Sequence, residues 1–182
     1  KMVVSTLENA SFSETKSKQE RIKLALLGYL RTNGRLPCPD NSVGDTTVAT
    51  GIETSPCNTA AADGYGVVPW QTLGISRDSV IDGWGNYFTY RVANGMTLKN
   101  WTAKTDAATH LTVNELKTPT AALLIQELDA AGTALSPTIA NAVVVILSHG
   151  KNGFGAKTTK VVARLPTADI AAGGEMTNAT VG

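Results

Sequence analysis

The adjacent pair Ser148-His149 sets a nucleophile beside a base. Neighbouring residues at a strand end point to opposite faces, so this hydroxyl and imidazole are badly placed to share a proton. No G-x-S-x-G elbow surrounds the serine, and no acid is evidently placed to orient the ring. A turn accounts for the pair better than catalysis does. His110 lies in polar sequence with no partner signal, which assigns it to the surface. The run Gly150-Lys151-Asn152-Gly153-Phe154-Gly155 lacks the Walker spacing and has no helix pattern after it, so a hairpin turn is the better reading than a phosphate cradle. The acidic residues are scattered, and no carboxylate pair stands out for acid–base work. Catalytic residues and cofactors are therefore both expected to be none, and the chain is not read as an enzyme.

Two cysteines, Cys38 and Cys57, sit in loop-like sequence, Leu36-Pro37-Cys38-Pro39-Asp40 and Ser55-Pro56-Cys57-Asn58. A disulfide, two free thiols, and a metal or redox role are all open to them. A disulfide here would stabilise the fold by roughly 3 kcal/mol on the chain-entropy model and would imply an oxidising compartment. The formal net charge of +1 provides no steering field for nucleic acid or anionic lipid. Lys16, Lys18, Arg21 and Lys23, interleaved with Glu14 and Glu20, read as a solvated helix face.

These residues need elements to hold them. At 182 residues the chain reads as one domain, able to bury roughly 70% of its unfolded surface. Charged residues make up only 17%, and small and hydroxylated residues replace them, as suits an exported protein or a subunit packing on its own copies. Residues Ser5 to Thr32 read as one long helix. Ile22, Leu26 and Tyr29/Leu30 form its apolar stripe, Leu24 and Leu27 widen it, and Asn33-Gly34 stops it. The helix is expected to begin exposed and end buried.

Positions 36 to 83 read as a long irregular region whose one apolar island, Val67 to Gly74, docks on the core. Tyr87 to Val92 reads as the first strand, with Asn94-Gly95 as the turn after it. Ala121 to Ala131 reads as a short helix behind Thr118-Pro119, and Ala142 to Leu147 as a central strand. Thr158 to Arg164 is expected to pair with that strand as a hairpin. The tail from Ala171 is expected to be mobile. No run of eighteen apolar residues is present.

The most informative stretch is Asp82-Gly83-Trp84-Gly85-Asn86-Tyr87-Phe88-Thr89-Tyr90. Two glycines flank a tryptophan in a tight turn, and a strand pattern follows at once. Trp84 is expected in the core, Trp70 as the residue docking the loop, and Trp101 free. The stretch resembles the D-x-W-G-N-x-x-x-Y element that opens the sheet in the type IV pilin and type II secretion pseudopilin family. Leu36-Pro37-Cys38-Pro39-Asp40 and Ser148-His149-Gly150-Lys151-Asn152-Gly153 resemble elements at the same places in pilin-like proteins.

The resemblance implies an α+β, pilin-like fold: a long N-terminal helix packed on an antiparallel sheet, with a disulfide-stapled loop closed by Cys38 and Cys57. It implies one domain over 1–182, with helix 1–33, connecting loop 34–83, sheet region 84–170 and tail 171–182. Asp82, Gly83, Trp84, Gly85, Asn86 and Tyr90 are its motif residues. The implied role is a structural subunit of a pilus or pseudopilus, whose partners are further copies or related subunits and the inner-membrane assembly machinery. Such a subunit is anchored in the inner membrane, through a hydrophobic N-terminal segment expected upstream of Lys1, before it enters a periplasmic or surface filament. The alternative is a minor subunit or adhesin-like module presenting loops at a filament tip. Some family members bind calcium in a loop near the end of the sheet. Asp169 is the one matching acid here, against about six oxygen ligands that calcium needs, so no metal is expected.

Overall fold

The computed structural model describes residues 2–41, 48–55, 57, 65–93, 96–97, 123–128 and 133–159. His110, Trp101, Asp169, the Asn94-Gly95 turn, the Thr118-Pro119 cap and the 171–182 tail lie outside the described residues.

Helix α1 spans Met2–Asn33. It stops at Gly34, whose φ of 66° is open to glycine at little cost and whose N–H donates to the Leu30 carbonyl at 2.7 Å. Ile22 and Leu26 are buried, and Leu30 packs half-buried against them. One expectation fails on this helix. Leu24 and Leu27 are 66% and 48% exposed rather than buried. Leu24 lies about 200° around the helix from Ile22, and Leu27 about 140°, while one small sheet covers only one side. The helix does begin mostly exposed, as expected, with Thr15 the buried residue of its polar half.

The sheet is three-stranded and antiparallel, in the order β1 (Tyr65–Val67), β2 (Thr89–Val92), β5 (Val144–Leu147). Its register places Gly66 opposite Tyr90 and Tyr90 opposite Ile146. The strand read as first, Tyr87 to Val92, is therefore the second, and its ladder begins at Thr89. Tyr87 forms an isolated bridge to Ile81 instead. Phe88, Tyr90 and Val92 are buried while Thr89 and Arg91 are half-buried, so the strand alternates from Phe88 on, and Tyr87, buried as well, is covered on the other side. A 3-10 turn, Arg77–Val80, packs against α1. The core joins Ile22 and Leu26 to Val67, Val68, Trp70, Val80 and the aromatic residues of the β2 region. Together these make a loose α+β arrangement of one N-terminal helix and a small antiparallel sheet.

A second, two-stranded antiparallel ribbon pairs β3 (Leu123–Leu128) with β4 (Ala134–Ala142). The helix expected over Ala121 to Ala131 is thus a strand in its described part. An eleven-residue helix is marginal by itself, and a cap adds only about 1 kcal/mol. Pairing with β4 satisfies the same backbone groups in a ladder, so the local helix cues lose. Most of the hairpin expected over Thr158 to Arg164, residues 160–164, lies outside the described residues; its first residue does not pair with β5. Thr158 bridges Asn86, and the Lys157 carbonyl accepts the Tyr87 N–H at 2.8 Å.

Candidate functional site

The turn at Asp82 is built by one buried carboxylate. Asp82 Oδ1 accepts the N–H groups of Trp84 and Asn86, both at 2.9 Å. Its Oδ2 accepts the Ser148 hydroxyl at 2.7 Å, and that hydroxyl oxygen takes the Gly150 N–H at 3.1 Å. Asn86 donates its side-chain amide to the Gly150 carbonyl at 3.2 Å. Gly85 carries a φ of 87°, which closes the turn where a Cβ would be strained. The motif therefore joins the start of the β2 region to the loop that follows β5.

The same turn is docked on α1. Gly83 donates its N–H to Thr15 Oγ1 at 3.0 Å, and that hydroxyl donates to the Ser11 carbonyl at 2.7 Å. A Cβ on Gly83 would strike the Ser11 backbone. Trp84 lies edge-to-face on Phe12, with ring centroids 4.9 Å apart. Trp84 is half-buried and Phe12 is 62% exposed, so the expectation of a core tryptophan is wrong. The indole covers the helix from outside, because Gly83 holds the turn too close to α1 for it to pass beneath. Trp70 does dock its segment: it is buried and stacks on Tyr87 at 5.5 Å. Tyr90 is fully buried, and its hydroxyl donates to the Pro37 carbonyl at 2.9 Å, tying β2 to the segment after the helix.

Ser148 and His149 do not meet as nucleophile and base. The His149 ring contacts Thr89 Oγ1 through Nε2 at 2.9 Å and the Phe154 carbonyl through Nδ1 at 2.7 Å. A carbonyl only accepts, so Nδ1 carries the proton and Nε2 receives the threonine hydroxyl. Both nitrogens are spent inside the fold. Lys151, in the glycine-rich turn, pairs with Glu8 of α1 at 2.6 Å. The cation of that turn is another tie to the helix. Of the basic helix residues, Lys18 reaches Glu14 at 2.7 Å and Lys23 reaches Glu20 at 3.3 Å. Among the described residues, no group of three or more His, Cys, Asp or Glu could hold a metal.

Cys38 and Cys57 are joined by a disulfide with Cα atoms 5.7 Å apart, and both are buried. A cluster that the sequence reading missed lies beside it. Arg35 makes a two-pronged salt bridge to Glu53, with both N–O distances at 2.6 Å. The Cys38 N–H donates to Glu53 Oε2 at 2.8 Å, and the Tyr29 hydroxyl donates to Oε1 at 3.1 Å. Burial pushes the Glu53 carboxyl up, but Arg35, the Cys38 N–H and Tyr29 outweigh it and hold the group below its usual range. Burial, then the Glu53 charge, pushes Tyr29 up to about 12. In sequence Glu53 looks like any loop acid, and no spacing marks it.

Along the side of α1 that faces β5 runs an apolar groove of about 420 Å³, lined by Leu26, Leu27, Leu30, Val143, Val144 and Ile146. Gln19 donates its amide to the Ile146 carbonyl at 3.2 Å near one end. Leu7 and Phe12, in the first half of the helix, are also exposed. Among the described residues no helix is long and apolar enough to cross a membrane. Comparison with protein families, with curated proteins and with solved structures returned no match.

Proposed function

We propose that this chain is the globular part of a filament subunit of the type IV pilin and type II secretion pseudopilin kind, acting by assembly and not by turnover. One observation carries the reading. Of the motif residues, Gly83 and Trp84 dock the turn on the long helix, Asp82 and Asn86 tie it to the loop after β5, Gly85 closes it, and Tyr90 ties β2 to the segment after the helix. The chemistry-bearing residues nearby, Ser148 and His149, are spent on internal bonds of the turn, β2 and the loop after β5. A subunit that transmits load along a helix needs that helix locked to its globular part.

A second feature supports the reading. α1 uses one strip for the core and leaves Leu7, Phe12, Leu24 and Leu27 exposed, surface that neighbouring copies would cover. On this reading the partners are further copies and the inner-membrane machinery, and the anchor is an apolar segment upstream of Lys1.

The test is photo-crosslinking in cells that express the full-length gene product, with the crosslinker at position 24 or 27. The expected result is a ladder of multimers, together with an upstream stretch of about 20 apolar residues. Monomer alone from both positions, with no such stretch encoded, overturns the proposal.

A further inference from the structure

Glu53 sits where three separately built pieces of chain meet. Tyr29 comes from the last turns of α1, Arg35 from the helix exit, and the Cys38 N–H from the segment leading to the sheet. The Glu53 N–H is itself held by Thr72 Oγ1 at 2.9 Å, which fixes the acid against the turn after Trp70. The two charged side chains are only 13% and 14% exposed. Among the described residues, the other titratable groups around this joint are Tyr90, fully buried with its hydroxyl on Pro37, and Asp40, whose Oδ2 accepts the N–H of Gly51, two residues before Glu53, at 2.6 Å.

We propose that Glu53 is an acid-operated latch: when its carboxylate takes up a proton, the last turn of α1 and residues 34–38 come away from the 48–55 arm while the sheet core stays folded. The physical reason is Arg35. A guanidinium this buried needs its counter-charge, and breaking such a pair from one side costs far more than the pair is worth. Once Glu53 is neutral, Arg35 still meets the Leu36 carbonyl and the Tyr29 ring, but neither carries a counter-charge, and outward movement of the segment that carries it returns the guanidinium to water. The Cys38–Cys57 bond limits that movement, so the opening is local and reverses when the proton leaves. The sign follows from the environment. Glu53 is held below the usual carboxylate value of 4.5, so the latch is closed at neutral pH and opens as pH falls through the lowered value.

The test is amide hydrogen exchange on the oxidised protein across an acid series, corrected for intrinsic rates. The expected result is a loss of roughly 100-fold in protection at Cys38 and Leu36, with the Phe88 and Ala93 amides unchanged over the same range. The double variant Arg35→Met/Glu53→Leu removes the charge pair and should show no acid step, while Asp40→Asn should keep it. The Glu53 carboxyl carbon shift, followed in the unmodified protein, covers the case in which the double variant does not fold, and it should titrate in step with the Cys38 amide. A step that survives in the double variant, one that Asp40→Asn abolishes, one shared by the core amides, or one out of step with the Glu53 signal overturns the proposal.

Discussion

Ser148, just past the end of β5, donates its hydroxyl to Asp82 Oδ2 at 2.7 Å across a sequence separation of 66. The other Asp82 oxygen serves the N–H groups of Trp84 and Asn86. One buried carboxylate therefore shapes the turn and ties it to a distant strand end. Its value to the fold lies in satisfying three donors at once, since a buried donor left without a partner costs about 1–3 kcal/mol.

Asp82→Ala should accordingly destabilise the protein by about 3–4 kcal/mol, because two backbone amides and the Ser148 hydroxyl all lose their acceptor. Ser148→Ala removes the bond to Asp82 and the acceptor of the Gly150 N–H but leaves both turn amides on Asp82 Oδ1, so its cost should be smaller, about 1–2 kcal/mol. Denaturant unfolding of the two variants checks the order. Equal costs would mean that the two amides contribute nothing.

The glycines separate by what surrounds them. A Cβ at Gly83 would strike the Ser11 backbone, and a helix backbone cannot yield locally. Gly83→Ala should cost about 1–3 kcal/mol through overpacking. Gly28, inside the C-terminal part of α1 with nothing within 4 Å of an added Cβ, should respond the other way. Gly28→Ala should stabilise by about 0.5–1 kcal/mol through helix propensity. Thermal melts of the pair should move in opposite directions.

Tyr29 offers an alkaline readout of the Glu53 cluster. Burial and the Glu53 charge push its hydroxyl up to about 12 from an ordinary 10.0. A raised folded value means that this contribution is fully present below the unfolded value and is lost as pH rises through the folded one. Stability should therefore fall between about pH 10 and 12. Glu53→Gln removes the Glu53 charge, the second-largest cause after burial, and should bring the tyrosinate absorbance step earlier. An unchanged step in that variant would mean that Glu53 does not act on Tyr29.

Much of this architecture is legible in the sequence because it rests on local rules. The helix end at Asn33-Gly34 is a positive-φ cap, and the Asp82–Tyr90 turn announces itself by glycine placement. The losses have a common cause. Leu24 and Leu27 look buried because an apolar residue says nothing about which side of a helix a sheet will cover. Residues Leu123–Leu128 read as helix because the partner that makes them a strand, Ala134–Ala142, is chosen by tertiary pairing. Glu53 was invisible for a similar reason. Its partners lie 24, 18 and 15 residues away, and no periodicity links them.

The outer face of α1 provides the sharpest contrast between folding and assembly. Ile22 is fully buried and Leu24 is 66% exposed, although both are apolar and only two residues apart. Ile22→Ala should cost about 2–5 kcal/mol, the range for truncating a buried aliphatic side chain. Leu24→Ser should stay within about 0.5 kcal/mol of the parent, since it changes a surface position away from any packed neighbour. In the full-length protein the second substitution matters for another reason: a hydroxyl in place of an apolar contact weakens any interface that covers it. The expected outcome is a Leu24→Ser protein with the parent's unfolding midpoint and a reduced yield of crosslinked multimers. A normal yield would remove Leu24 from the contact surface and leave Leu7 and Phe12 to supply it.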